Sequence, residues 1–445
     1  MKKITIILFL LRACLAYCQT EILIPWAIFN GYEKYGSIYP AKKYTTAEDI
    51  KWKFKTNGKI FSSPAVFNST AFIGSGDSNL YAIDVKTGKQ KWKLKTNGAV
   101  HSSPAVYKNT VYFGSFDGYY YAVDINTGRE KWKFKTGGEK WIGGKGYWGM
   151  KPDDMYMDDL WDYFLSSPII DIKDDNLTVY FGSSDGNLYA VQTNDGTLKW
   201  KFKTNGIIHT SPAVYKGVVY IGSWDTYLYA IDAKTGTEKW KFKTGDQMPM
   251  SGIQSSPSVV GDIVYIGARD ANMYALNAST GELVWKYFAD NSWILGTAAV
   301  KDDVLYFGTS DSHLLLALDA KTGKEKFRFK TNGYVFSSPT LSGNKVYFGD
   351  FTGKMYALEV NSAGKKWAVF STDNRNKNAA SVLENDTLNF IYAAHGADLN
   401  SYFTNKKVMD DFYTLGSIVS SPAIKDDVLY FGSADGYFYA LTLKD

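Results

Sequence analysis

One phrase returns along this chain so regularly that it restricts the fold more than any other feature. Residues 52–58 read WKFKTNG, and close copies begin at Trp92, Trp132, Trp200, Trp240 and Phe327. Between the copies lies a second constant block. In HSSPAVYKNTVYFGSFDGYYYAVDINTGREKW, from His101 to Trp132, VYFGS alternates before a turn at SFDG, YAVD resumes, NTG turns again and a Trp-bearing run follows. Each unit therefore reads as about four short strands joined by tight turns. Its inner proline recurs at Pro64, Pro104, Pro168, Pro212, Pro257, Pro339 and Pro422, with Ala298 standing in once, which makes eight units. Four antiparallel strands per period of about 40 residues is the arithmetic of a propeller blade. The abundance of aromatic residues (33 Tyr, 26 Phe, 13 Trp) also favours strands. The expected fold is all-β, an eight-bladed β-propeller of four-stranded antiparallel blades.

Closure can be read from the ends. After Phe438-Tyr439-Ala440-Leu441 the last unit lacks a Trp strand, whereas Ile50-Lys51-Trp52-Lys53-Phe54 is a Trp strand with no unit before it. The N-terminal strand is expected to complete the C-terminal blade. Within KWKFK, a period of two puts Trp52 and Phe54 on one face and Lys51, Lys53 and Lys55 on the other. On an outermost strand such lysines discourage edge-to-edge association. The phrase reads as edge protection, not as a nucleic-acid grip. Charge agrees: losing Lys2, Lys3 and Arg12 with a leader takes the formal +5 to +2, which excludes an electrostatic nucleic-acid binder.

The leader is MKKITIILFLLRACLAYCQT, with a basic start, a short apolar run and small residues near a cut after Cys18. Residues 1–18 are expected to be a signal peptide, 19–47 an N-terminal extension and 48–445 the propeller. Leu15-Ala16-Tyr17-Cys18 also resembles a bacterial lipoprotein box, so a lipid anchor at Cys18 is the alternative. The predicted location is the periplasm or cell envelope, with no transmembrane helix. Cys14 and Cys18 are the only cysteines, and the propeller body has none.

The spacing A-x-D-x-x-T-G-x-x-x-W, at Ala82–Trp92, Ala122–Trp132 and Ala230–Trp240, resembles the repeat of the PQQ-type eight-bladed propellers. That family includes quinoprotein alcohol dehydrogenases and the non-enzymatic assembly propeller BamB. The resemblance implies that Trp52, Trp92, Trp132, Trp200, Trp240, Trp285 and Trp367 dock neighbouring blades, Phe327 being a departure. It also implies what an enzyme of the family would carry: PQQ beneath a disulfide of adjacent cysteines, and calcium held by large inserts. This chain has no such cysteine pair. No cofactor and no metal site are expected, and the non-enzymatic branch is favoured over a PQQ-dependent dehydrogenase. Asp77, Asp117, Asp185, Asp225, Asp270, Asp311 and Asp435 share one repeat position, and Asp-Gly or Asp-Ser in a hairpin is what a turn needs.

What rises above the scaffold is variation in length. From a Trp strand to the next inner proline the usual step is 12 residues, as from Trp52 to Pro64, but Trp132 to Pro168 takes 36, Trp240 to Pro257 takes 17 and Trp367 to Pro422 takes 55. All such connections leave one face of the disc, so the insert at 137–165 between blades 2 and 3 and that at 371–416 between blades 7 and 8 should crown one mouth. Long loops on a rigid repeat scaffold commonly carry function. The first insert combines Trp141, Tyr147, Trp148 and Trp161 with Asp153, Asp154, Asp158, Asp159 and Asp162. These residues either pin the loop or recognise a protein segment or a glycan. The second holds His395 and an expected helix around Asp398–Met409, and reads as a lid or a degenerate ninth blade. His101 and His209, just before their Ser-Ser-Pro or Thr-Ser-Pro, face the same mouth; with no carboxylate seen to match them they fall short of a metal set.

Overall fold

The structure is a computed structural model that describes residues 26–27, 38–39, 46–172, 177–245, 251–360 and 365–444. Eight sheets are arranged as blades of four antiparallel strands. In the first they are Ala65–Phe67, Thr70–Ser75, Asn79–Asp84 and Gln90–Lys95. The ring closes as the sequence leads one to expect. Thr46–Lys55 pairs antiparallel with Tyr437–Lys444 and completes the sheet of Val428–Gly432 and Ala423–Lys425. Part of the N-terminal extension is also paired. Trp26–Ala27 adds to the inner strand of blade 2, and Ile38–Tyr39 adds in parallel to that of blade 7. The leader, with Cys14 and Cys18, lies outside the described residues.

The repeated words have specific structural reasons. Trp52, Trp92, Trp132, Trp200, Trp240 and Trp285 each donate their indole N–H to a carbonyl of the next blade, Val85, Ile125, Thr193, Ala233, Ala278 and Ala320, at 2.9–3.1 Å. The glycine of each Thr-Gly turn, or of its Asp-Gly counterpart at Gly196, lies on the same ring. At Gly128, φ is +69° and a Cβ would stand 2.6 Å from Trp92, so both backbone and space demand glycine. Trp367's side chain lies outside the described residues.

At the axis the first residues of Ser-Ser-Pro form no strand. They stitch blade to blade instead: Ser63 N–H donates to Ser103 Oγ, Ser103 to Ser167, Ser167 to Ser211 and Ser211 to Ser256, all at 2.9 Å. Thr297 to Ser338, Ser338 to Ser421 and Ser421 to Ser63 carry the ring on at 2.8–3.0 Å. The turn aspartates do more than shape their own hairpins. Asp77 accepts from Asn79 N–H at 3.1 Å and Tyr81 O–H at 2.7 Å, and also from Asn57 N–H at 2.9 Å in the preceding Thr-Asn-Gly. The recurring KTNG is thus a socket for the next blade's aspartate.

Candidate functional site

Because strands alternate direction, the Ser-x-Asp turns, the residues preceding Ser-Ser-Pro and the outer-to-inner connections all share one end of the disc. The first insert forms a small hairpin, Gly143–Lys145 against Tyr156–Asp158. The second folds into three helices, α1 (Asp373–Val382), α2 (Phe390–Ala393) and α3 (Tyr402–Tyr413), each with a polar N-cap, Thr372, Asn389 and Ser401. A helical lid is found in place of a ninth blade, and the expected helix lies a few residues further on. The inserts join each other: Lys151 N–H donates to Asn400 O at 2.7 Å and Tyr402 N–H to Lys151 O at 3.0 Å. Phe61 of blade 1, Tyr163 of the first insert and Tyr413 of α3 meet in one apolar cluster over the mouth, with ring centroids 4.9–5.4 Å apart around Phe61.

The predicted residues divide into two groups. Trp148, Asp153, Asp154, Asp158 and His395 are exposed, with Trp148 at 38% and its ring 5.5 Å from Trp293. His395 stands at the end of α2 beside Tyr392 and is not drawn in with the other histidines. Tyr147, Asp159, His101 and His209 are buried, and Trp141 and Trp161 are half-buried. Asp159 accepts from Arg269 Nη1 at 2.5 Å, from the Trp161 amide at 2.9 Å and from Tyr147 O–H at 3.3 Å. Its carboxyl is pushed up by burial, which the Arg269 charge opposes.

Arg269 is not among the residues that repeat position or insert length singles out. It occupies the middle of a Ser-x-Asp-type turn, Ala268-Arg269-Asp270, is wholly buried, and lies 4.5 Å from the Trp224 ring and 4.4 Å from the Trp293 ring. Gln254 Oε1 accepts from its Nε and Nη2 at 2.9 and 2.7 Å.

The absence of a carboxylate for the histidines is corrected here. Asp162 Oδ1 sits 2.7 Å from His209 Nδ1, because the first insert turns back onto the disc at the strap Asp159–Tyr163. His209 Nε2 is 2.7 Å from Ser184 Oγ, which donates to Glu139 at 2.8 Å. Burial works against the charged imidazole, yet the Asp162 charge and hydrogen bond, with Glu139 beyond, raise its pKa overall. Asp–His–Ser contacts of this kind resemble a nucleophile triad, but the serine hydroxyl is committed to Glu139 and is buried. His101 differs: its Nδ1 lies 2.8 Å from Tyr163 O, and burial depresses it to about 4. No group of three or more His, Cys, Asp or Glu able to hold a metal occurs among the described residues.

Between the inserts and blade 1 a cleft of about 430 Å³ stays open. Its walls include Phe61, Trp141 and Tyr413, and Lys59, Lys406 and Asp158 stand around it. Lys59 is held by Asp410 at 2.9 Å and lies 4.2 Å from the Tyr413 ring centre.

Comparison with known proteins bears on this arrangement. The family described as the beta-propeller of the beta-alanine-activating enzyme matches residues 160–443, more than half of the chain. The chain belongs to that beta-propeller family. A second family, described as outer membrane protein assembly factor BamB, matches residues 46–142 of this propeller. Among solved structures the propeller is similar to BamB from Moraxella catarrhalis, with 15% identity over 89% of this chain and 99% of that one and a TM-score of 0.62. It is similar to a europium-containing methanol dehydrogenase, with 13% identity over 92% and 96% and a TM-score of 0.64. It is also similar to the quinohemoprotein alcohol dehydrogenase from Comamonas testosteroni, with 13% identity over 88% and 76% and a TM-score of 0.62. At such identities the likeness speaks for the fold alone. No curated protein matches the sequence.

A PQQ-type propeller raises the matter of a quinone at the axis. Beneath the strap the axial cavity, lined by Ser63, Ser103 and their counterparts, is about 30 Å³. That is room for about one water. A tricyclic quinone does not fit there, since Phe164, Leu165, Leu295 and Phe336 fill the space around it.

Proposed function

We propose that this propeller is an exported, non-catalytic binding module of the bacterial cell envelope that captures a protein partner at the mouth crowned by its two inserts. The observation that carries this reading is the joined crown. Two segments far apart in sequence interlock over one end of a rigid disc, leave an aromatic-walled cleft open and themselves expose Trp148, Tyr156, Ile391, Tyr392 and Phe403. Exposed large apolar side chains gathered on one face suit a protein interface. The basic, apolar leader supports export, and acylation of Cys18 would tether the disc to a membrane surface. Among the described residues no helix is long and apolar enough to cross a membrane.

The test compares tagged wild type with Trp148→Ser/Tyr156→Ser/Phe403→Ser in purification from envelope extracts. A partner recovered by wild type and lost from the triple variant is expected. An unchanged set of partners removes the crown from consideration. The cleft's Phe61, Trp141 and Tyr413 favour a glycan as second reading, and saturable binding on a glycan array that Trp141→Ala abolishes would establish it.

A further inference from the structure

The strap Asp159–Tyr163 does more than cover the mouth, because the disc reads it group by group. Its first carboxylate enters a box made by Arg269 and Gln254 between the Trp224 and Trp293 rings. The indole of Trp161 meets Tyr334, Phe336 and Phe351 with centroids 5.2–6.1 Å away. Its second carboxylate, Asp162, meets His209 at 2.7 Å. Two main-chain carbonyls are read as well: Trp161 O by Gln254 Nε2 at 3.0 Å, and Tyr163 O by His101 Nδ1 at 2.8 Å.

Most of these receptors sit where one blade differs from the next, either in the middle of the Ser-x-Asp turn or just before Ser-Ser-Pro. The first position holds Gly76, Phe116, Ser184, Trp224, Arg269, Ser310, Phe351 and Ala434 around the ring. Mere packing does not call for this arrangement. A buried ion pair is commonly no better than apolar residues of the same size, so a strap needed only as a cover would be served by an aliphatic one.

We infer that the mouth of the disc is a recognition groove for a turn-forming acidic–aromatic peptide of the kind Asp-x-aromatic-Asp, and that the first insert fills it in cis as a built-in occupant, its turn closed by Asp162 N–H on Asp159 O at 3.1 Å. The ligand is a segment of a partner protein carrying two carboxylates around an aromatic residue. Arg269 and the His209 side chain match its charge, and the Tyr334, Phe336 and Phe351 rings match its aromatic group. A cis segment competes at the high effective concentration of a tethered ligand, so the partner segment engages once the strap lifts. This rests on the mouth being the working face, and adds the chemistry of what it takes.

The probe is a labelled peptide of sequence YMDDLWDYF, residues 156–164, followed by fluorescence anisotropy, with a scrambled peptide as control. Asp159→Asn/Asp162→Asn loosens the strap and should bind the probe at least about tenfold more tightly than wild type. Adding Arg269→Gln should abolish that gain. If the loosened variant keeps its melting transition and binds both peptides alike, or binds the probe regardless of Arg269, the inference is overturned. Self-association of that variant with the peptide left unbound would make the occupant a second copy of this chain and overturn the partner assignment. Should the variant fail to fold, hydrogen exchange on wild type decides. Excess probe, and not the scramble, should speed exchange of the Asp159 and Asp162 amides, and equal rates refute the groove. A crown that still captures its partner while the probe fails would leave the proposed function standing without this inference.

Discussion

Replacing Arg269 by Met tests how the crown is held. The guanidinium is wholly buried, donates to Asp159 at 2.5 Å and to Gln254 at 2.9 and 2.7 Å, and lies between two indoles. Methionine fills part of the space but leaves the Asp159 carboxylate, itself without solvent, facing an apolar group. Breaking one side of a buried pair costs about 3–5 kcal/mol. That corresponds to an increase of roughly two to four powers of ten in the population of strap-open molecules. Converting both partners, as Asp159→Leu/Arg269→Met, removes the stranded charge. It should be less damaged than the single variant, the remaining cost being the lost bonds to the Trp161 amide, Tyr147 O–H and Gln254 Oε1. Native-state hydrogen exchange reads this locally, since Asp159 N–H is bonded to Ile142 O at 2.8 Å and Asp162 N–H to Asp159 O at 3.1 Å. A single variant with unchanged protection, or a double variant as damaged as the single, would refute the assignment of Arg269 as the crown's anchor.

Two further outcomes are expected. Gly128→Ala, with φ +69° and Trp92 at 2.6 Å, should cost about 2 kcal/mol or more in thermal unfolding. Gly217→Ala, with φ +74° and open space, should cost only about 1 kcal/mol, so equal losses would discard the ring contact as a reason for the Thr-Gly turn. Stability should also fall on both sides of neutrality. His101 and His313, depressed to about 4 by burial, cost roughly 3 kcal/mol each as pH drops from about 6.5 to 4, because the unfolded chain then takes up protons that the folded one refuses. His209 has the opposite sign: its raised pKa contributes stability fully present below about 6.5 and lost as pH rises through the folded value. Melting temperatures across pH should therefore lose part of the alkaline slope in His209→Gln and part of the acid slope in His101→Phe, and unchanged slopes contradict the buried pairs.

The fold was legible because its reasons repeat. Trp92, Gly128 and the Ser-Ser-Pro run answer the same local demand in nearly every blade, so the period, the strand order and closure by Thr46–Lys55 could be read from residue spacing. The outward placement of Lys51, Lys53 and Lys55 follows from alternation alone, and all three are exposed around buried Trp52. The site was legible only in position. Insert lengths located the crown, but contacts between insert and disc have no period to betray them. Asp159 and Asp162 looked like members of one acidic cluster with Asp153, Asp154 and Asp158. Only the folded strap separates the two that meet Arg269 and His209 from the three that face water. Arg269 itself was overlooked because Ala-Arg-Asp reads as one more turn. Its signal was a lone cation where the other blades carry Gly, Phe, Ser, Trp or Ala.

The proposed function requires that partners meet this protein at the crown. Site-specific photo-crosslinking in intact envelopes tests it most directly, with benzoylphenylalanine at Trp148 or Tyr156 on the crown and at Asn126 in an exposed turn of the opposite face. The crown positions should give one common crosslinked partner and Asn126 none. A partner trapped from Asn126 and absent from both crown positions would contradict the account.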